Sequence, residues 1–374
     1  MDIEKLLKLV AVKKASDLFI TAGYPPSVKL DGRLIPVNKT PLTATEANDL
    51  VLGVMDEKQR LEFELKHECN FAIAKMGIGR FRVSAFQQRN QSGMVLRRIE
   101  EKIPGFEELK LPPILKDLTM VKRGLVILVG ATGTGKSTTL AAMLGYRNEN
   151  DTGHIISIED PIEFIHQHKR CIVTQREVGI DTKSYEVALK NTLRQAPDVI
   201  MIGEIRSQDT MQYALNFAET GHLCLATLHA NNANQALDRI LHFFPPEHHH
   251  QVWMDLSLNL KGIVAQQLLP SLDGTGRLPA IEVLLNTPLA QDMIRKGDVH
   301  ALKELMKKSR ELGMQTFDQA LFDLYNLGEV SYEDAIRHAD SANDLRLMIK
   351  LGSEVDESYL TQRSGKLTLQ MEEA

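Results

Sequence analysis

The segment from Leu125 to Leu140 reads LVILVGATGTGKSTTL and decides which class of fold the chain adopts. Its first five residues, Leu125 to Val129, are apolar and rich in β-branched types, which is typical of a buried parallel strand. The spacing G-x-x-x-x-G-K-S then runs from Gly130 to Ser137, and residues that favour a helix follow. A strand, a glycine-rich loop and a helix in this order predict a phosphate-binding loop.

Phosphate groups need several hydrogen-bond donors that converge at short range, and such a loop supplies them. Glycines let backbone N–H groups point inward without Cβ clashes, and the helix N-terminus adds its positive dipole end. Lys136 is expected to reach the β- and γ-phosphates, and Ser137 to hold Mg²⁺. A chance glycine-rich turn is the alternative, but the flanking strand and helix disfavour it. The predicted nucleotide-binding residues are Gly130, Ala131, Thr132, Gly133, Thr134, Gly135, Lys136, Ser137 and Thr138.

The composition is that of an ordinary globular protein. The chain has 374 residues, of which 43% are hydrophobic and 25% charged, so two or three domains are expected. The net charge is −5 and no long basic run occurs, which gives little support to a nucleic-acid partner.

The cysteines and the apolar runs indicate the compartment. Cys69, Cys171 and Cys224 lie far apart without a CxxC pair, which predicts neither a disulfide framework nor a zinc site. The charges of the N-terminal segment are interspersed, unlike those of a signal peptide, and no apolar run approaches the roughly 18 residues of a membrane span. We therefore expect a cytoplasmic protein.

Residues 1–100 are expected to form a compact α+β domain. Thr43 and Glu46 have the spacing of a capping box, and the pair Asp31-Gly32 suits the turn of a hairpin. The patterns predict helices near residues 3–10 and 56–67, a helix that begins at Thr43, a hairpin over 28–34, and strands over 17–21, 70–75, 80–87 and 94–99.

A linker is expected to end this domain. Residues 101–113, EKIPGFEELKLPP, contain three prolines and a glycine that interrupt regular structure, and their charges favour the surface. The second domain is then expected over residues 114–352. Residues 353–374 are polar without a clear period, which predicts a flexible tail.

Five arginines crowd the last strands of the first domain. One interpretation is a solvated basic face of the sheet. The other is a surface that meets phosphate or an acidic face of a neighbouring subunit. These residues are Arg80, Arg82, Arg89, Arg97 and Arg98.

A group of carboxylates follows the strand predicted over 154–158. Glu159, Asp160 and Glu163 surround Pro161, which ends the strand. Ligands bind at the carboxyl ends of the strands in parallel α/β sheets, and carboxylates there suit the orientation of water or a metal ion. The alternative interpretation is a cluster that caps and stabilises a turn.

A second apolar strand, predicted over 198–203, is followed directly by Glu204, with Arg206 two residues on. A carboxylate in this place commonly holds Mg²⁺ in phosphate-loop proteins, directly or through water. His222 and His229 bracket the next predicted strand. A lone histidine is usually structural, but two that flank one strand beside a nucleotide site favour a functional role.

The rest of the chain is expected to alternate helices and strands and then to become helical. The tract His248 to His250 resembles a metal site, but adjacent residues of a helix point in different directions, so we interpret it as ordinary surface. Helices are predicted over 184–195, 207–220, 232–244, 288–296, 299–311, 316–327, 331–338 and 341–351, and strands over 262–269 and 278–285.

Three sequence boxes resemble those of the secretion-type ATPases that drive type IV pili and type II secretion. They are ISIEDPIEF (Ile156–Phe164), LRQAPDVIMIGEIR (Leu193–Arg206) and TGHLCLATLHANNA (Thr220–Ala233). The stretches GMQTFDQALFDLY from Gly313 and ADSANDLRL from Ala339 are similar to the pilus retraction branch, the PilT/PilU family. The resemblance covers nearly the whole chain.

The resemblance implies an α/β fold in which a PAS-like α+β domain precedes a RecA-like P-loop ATPase domain with C-terminal helices. It also implies that the chain assembles as a homo-hexamer and that ATP binds between the two domains. It implies that Lys136, Glu163 and Glu204 act in catalysis, Glu163 by polarising or orienting the attacking water. Glu204 would be the Walker B glutamate, with Mg²⁺ as its partner. His222 and His229 match the histidine box of the family. The family's arginines that sense nucleotide or line ring interfaces are matched here by Arg82, Arg97, Arg194, Arg206 and Arg239.

Two differences from the PilT type of sequence favour the accessory, PilU type of retraction ATPase. The PilT type carries an Ala-Ile-Arg-Asn-Leu-Ile-Arg-Glu stretch, whereas residues 289–296 here read LAQDMIRK, and this chain also continues beyond its last helix. The expected partners are a PilT-type ATPase and the inner-membrane platform protein at the pilus base, with a peripheral location there. A nucleotide-binding docking subunit with little turnover is the alternative function, and a nucleic-acid motor is disfavoured by the charge.

Overall fold

The computed structural model describes residues 2–30, 32–99, 102–274 and 276–351. The predicted tail over 353–374 lies outside these ranges, as do Asp31 of the predicted hairpin turn and Glu101 of the predicted linker. The chain divides into two compact units, of which the first comprises Met1–Ile103, Ile158–Gln167 and Gln175–Ala188 and the second the other residues. The domain boundaries expected from the sequence stay a prediction.

A six-stranded sheet belongs to the first unit. Its strands are β1 (Asp17–Ile20), β2 (Ser27–Leu30), β3 (Arg33–Pro36), β4 (Glu68–Lys75), β5 (Gly79–Gln88) and β6 (Gln91–Ile99). They lie in the order β3-β2-β1-β6-β5-β4, and all neighbouring pairs are antiparallel. The hairpin predicted over 28–34 is the pair β2 and β3.

Three helices accompany this sheet: α1 (Ile3–Lys13), α2 (Ala44–Gly53) and α3 (Glu57–Lys66). The Asp2 side chain accepts a hydrogen bond from the Glu4 N–H at 2.9 Å and so caps α1. The capping box of Thr43 and Glu46 is present at the start of α2. The buried apolar residues of these helices join those of the sheet in one hydrophobic core.

A seven-stranded sheet contains the remaining strands: β7 (Gly124–Val129), β8 (Gly153–Glu159), β9 (Cys171–Glu177), β10 (Val199–Ile202), β11 (Leu223–Leu228), β12 (Leu260–Pro270) and β13 (Arg277–Leu285). Their order is β13-β12-β7-β11-β10-β8-β9. The pairs β7–β11, β10–β11 and β7–β12 are parallel, and β12–β13 is antiparallel. Every residue of β7, β10 and β11 is buried, which accounts for their almost wholly apolar sequences.

The other helices follow in chain order, and with the two sheets they confirm the α/β class. They are α4 (Ile114–Met120), α5 (Lys136–Asn150), α6 (Tyr185–Thr192), α7 (Gln208–Glu219), α8 (Ala233–Leu241), α9 (His249–Asn259), α10 (Pro288–Lys296), α11 (Val299–Lys308), α12 (Phe317–Asn326) and α13 (Tyr332–His338). Residues 342–351 are also helical. None of the helices in the described ranges has the length and apolarity that crossing a membrane requires.

The structure differs from the predicted elements at several places, among them one strand and two helices. No strand is predicted where β9 lies, because the second half of this edge strand is polar. The helix predicted over 184–195 ends at Thr192 and gives way to a 3₁₀ turn, after which Ala196 is left-handed with φ of 50°. The helix predicted over 299–311 ends at Lys308, and a separate 3₁₀ turn precedes Gly313.

Candidate active site

The glycine-rich loop, residues 130–135, connects β7 to the N-terminus of α5. Gly135 has φ of 85°, a left-handed conformation that residues with a Cβ rarely adopt. A Cβ there would lie 2.7 Å from Nε2 of Gln266, and a Cβ on Gly130 would lie 2.5 Å from Oγ1 of Thr134. Both positions therefore need glycine, and the chain forms the strand, loop and helix that the sequence predicts.

Lys136 is the first residue of α5, and its side chain lies against the loop. It is 9% exposed, and its Nζ donates hydrogen bonds of 2.8 Å to the carbonyl oxygens of Gly130 and Ala131. Ser137 and Thr138 follow in the first turn of the same helix, whose backbone N–H groups and dipole favour anions. The ammonium group, the hydroxyl groups and the helix end thus occur together.

Gln266 of β12 braces the loop from the neighbouring strand, and sequence reasoning missed it. Its Nε2 donates to the carbonyl oxygen of Thr134 at 2.8 Å, and its Oε1 accepts from Oγ1 of Thr139 at 2.7 Å. The side chain is 4% exposed, so these bonds satisfy a buried amide. The sequence does contain a signal for it, because a polar glutamine in the middle of an apolar strand indicates a buried hydrogen-bond partner.

Glu204 follows β10 and is held from two sides. Its Oε2 accepts from Nε and Nη2 of Arg206 at 2.7 and 2.6 Å, and its Oε1 lies 3.2 Å from Nε2 of His229. The side chain of Glu204 is 16% exposed. The two bonds from Arg206 are short and charge-assisted, and together with His229 they orient the carboxylate.

The strand order explains why these groups meet. Because β7, β11 and β10 are parallel neighbours, the residues that follow them lie along one edge of the sheet. Leu228 of β11 pairs with Val129 of β7, so His229 and Gly130 leave the sheet side by side. The phosphate loop, His229 and Glu204 therefore share the carboxyl edge, where ligands bind in such sheets.

His222 is not brought to this edge. It precedes β11, whereas His229 follows it, and a strand of six residues places its two ends about 20 Å apart. The Nδ1 atom of His222 lies 3.3 Å from the carbonyl oxygen of Phe217. The two histidines thus lie at opposite ends of one strand, and a role for His222 stays a prediction.

The acid box, as we call the segment ISIEDPIEF (Ile156–Phe164), belongs to the first unit from Ile158 onward. Glu163 is exposed in the segment that joins β8 to β9, and Glu159 at the end of β8 is 8% exposed. The Arg82 and Arg97 positions are opposite each other in β5 and β6, and Nε of Arg97 donates to Oδ1 of Asp17 at 2.9 Å. The guanidinium of Arg97 is therefore already paired with a buried carboxylate of the same unit, and the role of the arginine surface stays a prediction.

Two cavities flank the phosphate loop within the second unit. The larger, of about 760 Å³, is lined by Ala131, Thr132, His229 and Arg239 among others. The smaller, of about 280 Å³, adjoins Gly135 and Thr139 and is lined on its other sides by residues that include Leu109, Leu111, Leu268 and Arg277.

Arg194, one of the arginines that the resemblance assigns to nucleotide sensing or ring interfaces, lies exposed in the 3₁₀ turn after α6.

The residues at the loop fit a magnesium ion. Mg²⁺ prefers oxygen ligands and usually takes only one or two from the protein, with phosphate and water oxygens as the others. Ser137 offers a hydroxyl and Glu204 a carboxylate, both oxygen donors, and within the described ranges no cluster of three or more His, Cys, Asp or Glu side chains could hold a metal alone. This donor set suits a nucleotide-bound Mg²⁺ better than a structural metal.

A buried carboxylate supports the N-terminus of α8, the helix that follows His229. Glu282 of β13 is 1% exposed, and its Oε1 accepts from the Ala233 N–H at 2.8 Å while its Oε2 accepts from the Phe317 N–H at 3.4 Å. It therefore joins the first residues of α8 and α12. Burial raises the pKa of Glu282 to about 7, Asp340 adds to the rise, and the backbone hydrogen bonds and Lys303 oppose it.

This raised pKa predicts a pH-dependent stability. Between pH 4.5 and about 7 the folded state holds the proton more tightly than the unfolded chain, so the contribution of Glu282 to stability falls as pH rises through that range. A rise from 4.5 to about 7, at about 1.4 kcal/mol for each pKa unit, amounts to about 3 kcal/mol. Relative to wild type, Glu282→Gln is expected to become more stable by up to that amount between pH 5 and 8, as measured by chemical unfolding. Parallel curves for the two proteins would contradict the prediction.

A phosphate loop at the carboxyl edge of a parallel sheet, with a carboxylate after a neighbouring strand, defines a P-loop ATPase. The chain belongs to the family described as "Type II/IV secretion system protein", whose profile matches residues 1–311.

Known relatives match along nearly the full length. The chain is 71% identical over 371 residues to "Type IV pilus ATPase PilU" of Pseudomonas aeruginosa, covering 99% of this chain and 97% of that protein. It is 42% identical over 335 residues to "Type IV pilus retractation ATPase PilT" of the same organism, covering 90% and 97%. The crystal structure of the pilus retraction motor PilT with bound ADP superposes with a TM-score of 0.87 at 40% identity, covering 92% of this chain and 99% of that one.

These matches confirm the resemblance to the PilT/PilU family that the sequence boxes indicate. They also confirm that the chain is an ATP-hydrolysing enzyme. The secretion-ATPase likeness extends to the two-part α/β architecture, which agrees with the predicted fold class.

Proposed function

We propose that this chain is an accessory motor of type IV pilus retraction, a Mg²⁺-dependent ATPase that works beside a PilT-type partner. The observation that carries the proposal is the 71% identity to PilU across 99% of the chain. The acting form would be a homo-hexamer in the cytoplasm, in peripheral contact with the platform protein of the inner membrane at the pilus base. Nucleic acid would play no part.

The chain's own groups would divide the work as follows. Backbone N–H groups of residues 130–138 and the ammonium of Lys136 bind the phosphates. Glu204, fixed by Arg206 and His229, orients the ligands of the cation, and Glu163 polarises or orients the attacking water. The smaller cavity beside Gly135 would take the nucleobase. When bound, Mg²⁺ would neutralise part of the negative charge on the phosphates.

The arginines would couple hydrolysis to movement. Arg82 and Arg97 form a basic surface that suits a phosphate or an acidic face, and Arg239 lines the larger cavity with His229. By the resemblance, these residues and Arg194 sense nucleotide or line the interfaces of the ring, and His222 belongs to the histidine box. Charges that complete a site only after a domain has moved make hydrolysis depend on that movement.

A docking subunit with little turnover is the second candidate. It is favoured by residues 289–296, which lie in α10 and differ from the matching stretch of PilT-type motors. In α10 the Asp292 carboxylate forms ion pairs with both Arg295 and Lys296. These two basic side chains are therefore paired within the helix. The presence of Lys136, Glu163 and Glu204 argues for hydrolysis instead.

Twitching motility distinguishes the two functions. Cells that carry Lys136→Ala are compared in two backgrounds, one with the PilT-type partner intact and one with the hydrolysis of that partner disabled. We expect motility to persist in the first background and to fail in the second. Cells that carry the wild-type chain should stay motile in both backgrounds. Lys122→Ala, at an exposed lysine before β7, serves as the control allele.

Each other outcome is informative. Loss of motility with the partner intact would contradict the accessory role. No effect in either background would show that hydrolysis by this chain is dispensable and would favour the docking function.

A further inference from the structure

Two side chains of β9 hold the backbone on both sides of Glu163. Before it, the N–H of Ile162 donates to Oε2 of Glu177 at 3.2 Å. After it, the carbonyl oxygen of Phe164 accepts from Nε2 of Gln175 at 2.9 Å, and the N–H of His166 donates to Oε1 of Gln175 at 2.8 Å. The exposed carboxylate of the acid box thus stands in a segment whose flanks are tied to one strand.

The two side chains act from the same face of β9. Residues two apart in a strand point to the same side, so Gln175 and Glu177 reach the acid-box segment together. The Nε2 of Gln175 also donates to Oε1 of Glu159 at 3.1 Å, which ties down the carboxylate at the end of β8. Nε2 of Gln175 therefore bonds the acid box at two places, and Oε1 holds the backbone at His166, two residues beyond the box.

Glu177 is itself held firmly. It is 1% exposed, its N–H donates to Oδ2 of Asp181 at 2.9 Å, and its carbonyl oxygen accepts from the Asp181 N–H at 2.8 Å. An acceptor fixed in this way can fix its donor, the N–H of Ile162 next to Glu163.

The segment needs such support because it has little regular structure of its own. Between β8 and β9 the chain forms only bends and one isolated bridge, so its backbone groups have few ladder partners. Buried backbone N–H and C=O groups need partners, and outside a ladder side chains are one source of them. Gln175 and Glu177 supply them at Ile162, Phe164 and His166.

We infer that Gln175 and Glu177 are positioning residues that hold the acid-box glutamate, Glu163, in its working orientation for ATP hydrolysis. The inference rests on the proposed action of Glu163 on the attacking water. A catalytic group displaced by about 1 Å can lose up to about 100-fold in rate, although substrate binding elsewhere is unaffected. The effect should therefore fall on kcat and not on KM.

Steady-state ATPase kinetics of the full chain test the inference. Gln175→Met keeps the length of the side chain and removes its hydrogen bonds, and we expect kcat to fall about 10-fold or more with KM for ATP within about 2-fold. Ile172→Ala, at an exposed position of the same strand, is the control and should leave both constants unchanged. An unchanged kcat in Gln175→Met would overturn the inference.

A double variant separates positioning from other effects. In the Glu163→Gln background the Gln175→Met change should lower kcat no further, because there is no catalytic carboxylate left to position. Additive losses would overturn the inference while leaving the role of Glu163 intact. A normal kcat in Glu163→Gln alone would instead refute the proposed action of Glu163 and, with it, the basis of the inference.

A second pair of variants decides the case if Gln175→Met does not fold. Glu177→Gln retains an oxygen that can accept from the Ile162 N–H, whereas Glu177→Leu does not. We expect the glutamine variant to keep most of kcat and the leucine variant to lose about 10-fold, with equal KM. Equal kcat values in the two variants would overturn the inference.

Discussion

Replacement of Lys136 with alanine is expected to lower ATP hydrolysis by at least about 100-fold and to weaken ATP binding as well. The ammonium group is buried at the start of α5, 2.8 Å from the carbonyl oxygens of Gly130 and Ala131. In such a place a positive charge stabilises both the bound phosphates and the charge that develops during transfer, and loss of one such group commonly costs about 100-fold to 1,000-fold in kcat. Phosphate release and calorimetric titration with a nucleotide measure the two effects.

The matched control is Lys122→Ala. Lys122 is an exposed lysine that precedes β7, the strand that ends at the phosphate loop. It carries the same charge at the opposite end of the strand, so a general effect of net charge would appear in both variants. Hydrolysis by Lys136→Ala within about 2-fold of wild type would contradict the assignment of the loop.

The loop itself was predictable because its determinants are local. An apolar run of β-branched residues, three glycines and a lysine at fixed spacing specify strand, turn and helix through short-range sterics and hydrogen bonding. The same holds for the apolar strands β10 and β11, whose burial on both faces leaves a plain signature in the sequence. Glu204 followed from its place directly after β10.

The contacts that support the site were not predictable, because they join distant parts of the chain. Gln266 reaches Thr134 across 132 positions of sequence, and Glu282 reaches Ala233 across 49. Each is a polar residue inside an apolar strand, which signals a buried partner but not its identity. The hydrogen bonds between Gln175 and the acid box depend on β9, an edge strand whose second half is polar and gives no strand signal in the sequence.

The histidines show a different limit. His222 and His229 flank one strand, and their nearness in sequence suggested a common site. Opposite ends of a six-residue strand are far apart, however, and only His229 reaches Glu204. Strand geometry alone favours His229 over His222 as the residue at the phosphate-binding edge.

Replacement of Glu204 is expected to stop hydrolysis while leaving nucleotide binding in place. Glu204→Ala removes a carboxylate that Arg206 and His229 hold in one orientation, and we expect a loss of at least about 100-fold in kcat. The donors of the phosphate loop are untouched, so ATP affinity should stay within about 3-fold of wild type. This separation of the two effects distinguishes Glu204→Ala from Lys136→Ala. Glu219→Gln, at an exposed glutamate that ends α7, is the control.

The charge-removing variant Glu204→Gln shows what the carboxylate does. If it orients the ligands of Mg²⁺, the neutral amide should weaken the hold on the cation, and the Mg²⁺ concentration for half-maximal residual activity should rise about 10-fold. If Glu204 instead serves only to hold Arg206 and His229, the amide retains one acceptor, and the Mg²⁺ dependence should match that of wild type. Turnover in Glu204→Ala close to wild type would refute both roles, because neither the cation nor the two basic side chains would then depend on this carboxylate for hydrolysis.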